Sequence, residues 1–248
     1  VLRGAGGHDT IIGGTGADGL HGQRGDDHLN GGDGADTLKG GEGNDTYVVD
    51  NAADRLVETT TINSAVDAGG HDLVLSSVTI NLFSAPNGAQ FVEDIALTGT
   101  GAINATGNAL DNMIQGNVAA NALRGAGGDD TIRGGQGADV LSGGAGGDLF
   151  VFADGETLLA TPDRITDFSQ ADGDRMDLSL MDARTTIVGN DTFAWIDAGP
   201  FTQVAGQLRY VQQGGNTRIE GDTNGDGAAD FAIQLDGLVV LTAADFVL

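Results

Sequence analysis

The chain has 248 residues, with 36 Asp and Glu against 11 Lys and Arg, a net charge of −25 and 43 glycines. That balance excludes a nucleic-acid partner, because binding phosphate requires a basic face, and it repels an anionic membrane surface. No apolar run reaches the roughly 18 residues of a membrane span, and the absence of cysteine excludes disulfides and thiolate metal sites.

With 40% hydrophobic residues and only 3 prolines, the glycine marks a regular backbone of many turns, not a disordered tail. Carboxylates in such excess destabilise a compact state by self-repulsion unless cations neutralise them. Val1 opens the chain without Met or a signal-peptide pattern, which reads as a fragment or a processed product.

The first element, residues 1–50, is a repeat array. From Gly4 the chain divides into nines: GAGGHDTII, GGTGADGLH, GQRGDDHLN, GGDGADTLK, GGEGNDTYV. Gly4, Gly13, Gly22 and Gly31 open successive units, Asp9, Asp18, Asp27, Asp36 and Asp45 stand sixth, and Ile11, Leu20, Leu29, Leu38 and Tyr47 stand eighth. Residues 51–98 lose this pattern. Stretches such as DLVLSSVTINLF and FVEDIALTG are β-branched and partly alternating, which predicts strands that continue or bridge the repeats.

The nines return within residues 99–152, from Gly107: GNALDNMIQ, GNVAANALR, GAGGDDTIR, GGQGADVLS, GGAGGDLFV. The last three keep the full pattern, with Gly125 and Gly134 leading and Asp130, Asp139 and Asp148 sixth. The first two carry Asn112 and Asn121 sixth, and Leu110 and Ala119 in place of the fourth-position Gly, so they read as turns that have lost most of their affinity for metal. Beyond Phe152 glycine thins. Residues 153–248 read as strands and hairpins around Phe193, Trp195, Phe201, Tyr210 and Phe231, a hydrophobic cap for a thin solenoid.

The spacing carries chemistry. Six residues make a turn and three a short strand, so only the eighth side chain is expected to point inward. Glycine permits the positive φ that lets carbonyls converge, and aspartate is short enough to add a carboxylate. An irregular, all-oxygen site suits Ca²⁺; Mg²⁺ wants a stricter octahedron, and transition metals want imidazole or thiolate. One Gly-Asp turn is merely a good turn. Eight in register, in so acidic a chain, point to several bound Ca²⁺ ions.

These residues resemble the RTX (haemolysin-type) repeat, GGxGxDxUx, over residues 4–48 and 125–151. The resemblance implies an all-β parallel β-roll in which two repeats make one coil and calcium lies between turns two repeats apart. It pairs Asp9 with Asp27, Asp18 with Asp36, Asp27 with Asp45, Asp130 with Asp148 and Asn121 with Asp139. The run DRITDFSQADGDRMDLS resembles the segment after the roll in serralysin-type metalloproteases, which implies that Asp163 and Asp167 close the last calcium turns. The ending DFVL resembles a type I secretion signal.

The resemblance therefore implies an extracellular, secreted or surface-retained module that folds on calcium outside the cell. Its partners would be the type I secretion apparatus and an N-terminal catalytic domain. The alternative, also on resemblance, is a calcium-dependent polysaccharide-binding, adhesive or surface-layer module. Asp222, Asn224, Asp226 and Asp230 imitate an EF-hand start, but Ile233 stands where the bidentate Glu belongs. A shorter calcium loop and a metal-free hairpin both remain open there. No HExxH, GxSxG or P-loop occurs, so no catalytic residue is expected in this chain.

Overall fold

The computed structural model describes residues 1–59, 67–83, 89–186 and 188–248. The first array supplies β1 (Leu2–Gly6), β2 (Thr10–Thr15), β3 (Gly19–Arg24), β4 (His28–Asp33), β5 (Thr37–Glu42) and β6 (Thr46–Val49). The middle supplies β7 (Arg55–Val57), β8 (Leu73–Ser76), β9 (Ile80–Asn81) and β10 (Asp94–Leu97). The second array supplies β11 (Ala105–Thr106), β12 (Met113–Gln115), β13 (Ala122–Gly127), β14 (Thr131–Arg133), β15 (Val140–Ala145) and β16 (Leu149–Ala153). The last part holds β17 (Asp163–Ile165), β18 (Arg175–Leu180), β19 (Ala194–Trp195), β20 (Gln207–Gln213), β21 (Asn216–Asp222), β22 (Phe231–Leu235) and β23 (Phe246–Val247).

The strands wind into a β-roll. One ten-stranded parallel sheet, in the order β2-β4-β6-β8-β10-β12-β14-β16-β18-β23, runs from the first repeat to the last strand. Facing it are a four-stranded sheet, β1-β3-β5-β7, and a nine-stranded one that starts at β9. In the arrays the register advances by two repeats per coil, as in Leu20↔Leu38, Ile11↔Leu29 and Ile114↔Ile132.

The strands of the first array reach six residues, not the three expected, because parallel pairing continues through the first three positions of the next repeat. Gln23, for instance, pairs with Gly41 beyond the Leu20–Leu38 step. The turn proper is then only positions four to six.

Two inward side chains per coil make the core. Leu20, Leu29, Leu38, Tyr47, Ile114, Ile132, Leu141 and Phe150 are completely buried, each worth about 1.5–3 kcal/mol of transfer free energy. Tyr47 fits this column because its hydroxyl accepts from the Gly40 N–H at 2.9 Å. The sixth-position aspartates are buried as well, contrary to the expectation that only the eighth side chain turns inward: Asp27, Asp36, Asp45, Asp130, Asp139 and Asp148 are 1–2% exposed.

The C-terminal part closes one end. β20, β21 and β22 form an antiparallel meander, and β22 joins β17 in parallel, carrying it onto the roll. Trp195 stacks on Tyr210 and tilts against Phe246, while Phe193 meets Phe231 edge-on. Among the described residues no helix is long and apolar enough to cross a membrane.

Candidate metal centres

The buried aspartates form a ladder. The Asp9 N–H donates to Asp27 Oδ1 at 2.8 Å, Asp18 to Asp36 at 2.7 Å, and Asp27 to Asp45 at 2.8 Å. In the second array Asn121 donates to Asp139 at 2.8 Å and Asp130 to Asp148 at 2.9 Å. Each carboxylate thus spends one oxygen holding the preceding coil in register.

The other oxygen is left over. Oδ2 of Asp9, Asp27, Asp36, Asp45, Asp130, Asp139 and Asp148 is buried and has no hydrogen-bond partner. Buried polar atoms are normally satisfied, so a repeated orphan oxygen demands a partner that is not a protein donor. The first-position glycines make the room: a Cβ at Gly4, Gly22, Gly31, Gly125 or Gly134 would overlap the aspartate oxygen of its own repeat. A Cβ at Gly13 would strike the Gly31 carbonyl and crowd Asp18. Carbonyls and carboxylates, with no nitrogen or sulfur, are the donor set a hard cation such as Ca²⁺ takes.

The electrostatics agree. Burial, then a neighbouring carboxylate of the ladder (Asp27, Asp174 and Asp148 respectively), pushes Asp45 and Asp148 up to about 6 and Asp130 up to about 7; burial raises Asp139 to about 6. The backbone N–H that each accepts pulls the other way and loses.

The ladder reaches beyond the repeats read from sequence. Asp54 accepts from Asp36 N at 2.9 Å, Asp72 from Asp45 N at 2.7 Å, Glu93 from Asp72 N at 2.7 Å, and Asp174 from Asp148 N at 3.0 Å. All four escaped the sequence reading, yet a signal existed. Each stands two residues before a core position: Asp54 before Leu56, Asp72 before Val74, Glu93 before Ile95 and Asp174 before Met176. Of the two aspartates expected to close the roll, Asp163 joins the ladder through Asp139 N at 2.9 Å. Asp167 is exposed and accepts instead from Ser142 Oγ at 2.6 Å and Gly143 N at 3.1 Å.

The asparagine turns are built differently. Asn121 Oδ1 accepts from Asn117 N at 2.9 Å, and its amide donates to the Ile103 carbonyl at 2.6 Å. Asn112 repeats this with Asn108 N at 2.8 Å and the Glu93 carbonyl at 2.8 Å. Asn108 and Asn117, in the second position, each accept from the N–H two residues on. Sequence reasoning missed this second-position partner, whose signal is the spacing GNxxxN.

The EF-hand-like segment is the loop between β21 and β22. Asp222 accepts from Gly225 N and Gly227 N, and Asp226 from Ala228 N. Asp230 accepts from Thr223 and Asn224, and Asn224 Oδ1 from Asp226 N. Both oxygens of Asp222 and of Asp230, and Oδ1 of Asn224 and of Asp226, thus already accept from local donors.

A parallel roll whose coils face one another through orphan carboxylates defines a calcium-binding repeat protein. The chain belongs to the serralysin C-terminal family, whose profile, Peptidase M10 serralysin C terminal, matches residues 61–248. The RTX calcium-binding nonapeptide repeat matches residues 1–29, 12–47 and 21–56. Domains of these kinds belong to secreted proteins, and in serralysin-like proteins they are not the catalytic part.

No curated protein matches. Among solved structures, the AlgE6R3 subunit of the Azotobacter vinelandii mannuronan C5-epimerase is 27% identical, covering 60% of this chain and 82% of that one, with a TM-score of 0.36. The extracellular lipase LipA of Serratia marcescens is 18% identical, with a TM-score of 0.28; the match covers 98% of this chain and 38% of the lipase.

Proposed function

We propose that this chain is the calcium-triggered folding module of a type I-secreted protein, and that it carries the export signal. The observation that supports it is the seven-fold recurrence of a buried, unpartnered Oδ2. Asp9, Asp18, Asp27, Asp36 and Asp45, with the carbonyls opened by Gly4, Gly13, Gly22 and Gly31, hold calcium along the first array. Asp130, Asp139, Asp148 and Asp163, with Gly125 and Gly134, do so along the second.

Asn121 is left out of the ligand set, since its amide donates where an ion would sit, and the loop carrying Asp222, Asn224, Asp226 and Asp230 is a metal-free hairpin. Asp167 keeps a positioning role, holding Gly143 at the mouth of the last turn. Calcium, when bound, neutralises facing carboxylates and ties one coil to the next.

The folding logic is linkage. Facing carboxylates repel one another while calcium is scarce, and a core two side chains wide is too thin to overcome that. Abundant calcium shifts the balance toward the roll by mass action. Export fits the extended phase. In the roll, Phe246 is 3% exposed and Asp245 6% exposed, with β23 paired to β18. An exporter reading this tetrapeptide must therefore meet it before the chain folds.

Circular dichroism in EDTA, then with calcium or magnesium, tests the folding claim. A largely disordered spectrum should become β-rich with calcium alone. The same β spectrum in EDTA would overturn it. Deleting residues 245–248 tests the export claim, and normal secretion of the shortened chain through a matching type I exporter would refute it.

A further inference from the structure

The ladder does not keep its step between Asp45 and Asp72. They are 27 residues apart where an ordinary coil takes 18. The additional stretch brings one more acid to the same place. β7 ends at Val57, and Thr59 bridges back to Asp67, so Glu58 is held between the Asp45 turn and the Asp72 turn.

Oxygens of Asp45, Glu58 and Asp72 all lie within 4.8 Å of one another, and the three residues are 0–1% exposed. Both Glu58 oxygens and Asp45 Oδ2 are buried without a hydrogen-bond donor. Among the described residues no Lys or Arg is ion-paired with any of the three. Burial first, and then the Asp72 charge, pushes the Glu58 carboxyl far above the usual range. Three closed-in carboxylates without a counter-charge cannot all be ionised: either a cation stands among them or one of them keeps a proton.

We propose that Asp45, Glu58 and Asp72 form a three-carboxylate calcium site outside the nonapeptide pattern, the tightest on the chain. An ordinary turn offers two carboxylates, one from each facing coil, and calcium affinity rises with ligand charge. The inference rests on the calcium reading above. The junction where the coil is lengthened is thereby the point held most firmly.

The test counts calcium bound per chain against free calcium. The wild-type chain should show one ion held at free calcium at least tenfold below the rest. In Glu58→Gln, which keeps size and shape, that phase should vanish or merge with the others. Asp18→Asn should lose an ion from the weaker phase only. An unchanged first phase in Glu58→Gln would overturn the proposal, leaving Glu58 as a buried neutral acid beside Asp72. A wild-type chain that binds no calcium would instead defeat the broader reading.

If Glu58→Gln does not reach the β spectrum in saturating calcium, europium excitation on the wild-type chain decides. Ligand charge shifts the europium line, so the first equivalent should give a line distinct from later ones. A single line throughout would refute the third carboxylate.

Discussion

Two kinds of turn share the second array, and they solve the same problem in opposite ways. At Asp130, Asp139 and Asp148 the coil closes over an acid with one oxygen unpartnered, and the backbone enters the left-handed region at Gly128, Gly137 and Gly146. At Asn112 and Asn121 an amide replaces the acid, donates into the preceding coil and needs no ion. Neither Leu110 nor Ala119 takes a positive φ, because these turns are shaped by the second-position Asn108 and Asn117 instead. The same coil can thus be closed by a cation or by an amide. The sixth side chain, with the backbone it requires, chooses between them.

The largest effect separating the two should be that of pH. The aspartate turns titrate and the asparagine turns do not. Asp45, Asp139 and Asp148 are pushed to about 6, and Asp130 and Asp163 to about 7, first of all by burial. A carboxyl raised in the folded state keeps a proton that the unfolded chain has shed. Its contribution is therefore complete below the ordinary carboxylate range and is lost as pH rises through 6–7.

In EDTA, acidifying from pH 7.5 to 5 should increase β content. In calcium the same step should move the folding midpoint to higher free calcium, since protons compete for the same oxygens. An EDTA form no more ordered at pH 5 than at 7.5 would break the link between burial and metal.

A smaller effect should separate aspartates within the ladder. Asp27 accepts from Asp9 and donates to Asp45, so it faces a coil on either side, whereas Asp9 has a neighbour on one side only. Asp27→Ala should raise the calcium midpoint about tenfold, or about 1.4 kcal/mol, and Asp9→Ala about two- to threefold. Equal midpoints in calcium titrations of both variants would argue against sites shared between coils.

The sequence made the roll legible because a coil two repeats long places the eighth residue of every second repeat in one column, from Leu20 through Leu38 to Leu56. What it concealed were ladder members whose glycines are gone or displaced. Asp54 follows no Gly, and Asp72 arrives after a nine-residue detour. Glu93 and Asp174 keep only the spacing to Ile95 and Met176. The Gly pattern reports turn shape, while the ladder needs only an oxygen two residues ahead of an inward side chain; a search for the full nonapeptide misses those that keep the second requirement alone. Glu58 was invisible for another reason. It is delivered by a strand end and a backward bridge, neither of which has a repeat.

The smallest and most discriminating change is to turn one kind of turn into the other. Asn121→Asp by itself should be harmful. It removes the donor that satisfies the Ile103 carbonyl at 2.6 Å, a loss on the order of 1–3 kcal/mol for a buried acceptor, and it adds a charge beside Asp139. No calcium site should follow, because Asn117 and Ala119 hold the turn in the wrong backbone shape.

Combining Asn121→Asp with Asn117→Gly and Ala119→Gly rewrites GNVAAN as GGVGAD, the pattern of the units around Asp139 and Asp18. The triple variant should bind one more calcium than wild type and melt lower than it at limiting calcium, yet match it at saturation. Thermal melts at several free-calcium concentrations, with bound calcium counted in parallel, separate the cases. A single Asn121→Asp variant that gained the ion would show that the carboxylate alone makes the site. A triple variant that gained none would show that the glycines and aspartate do not suffice, and that the neighbouring coil's ladder must also be rebuilt.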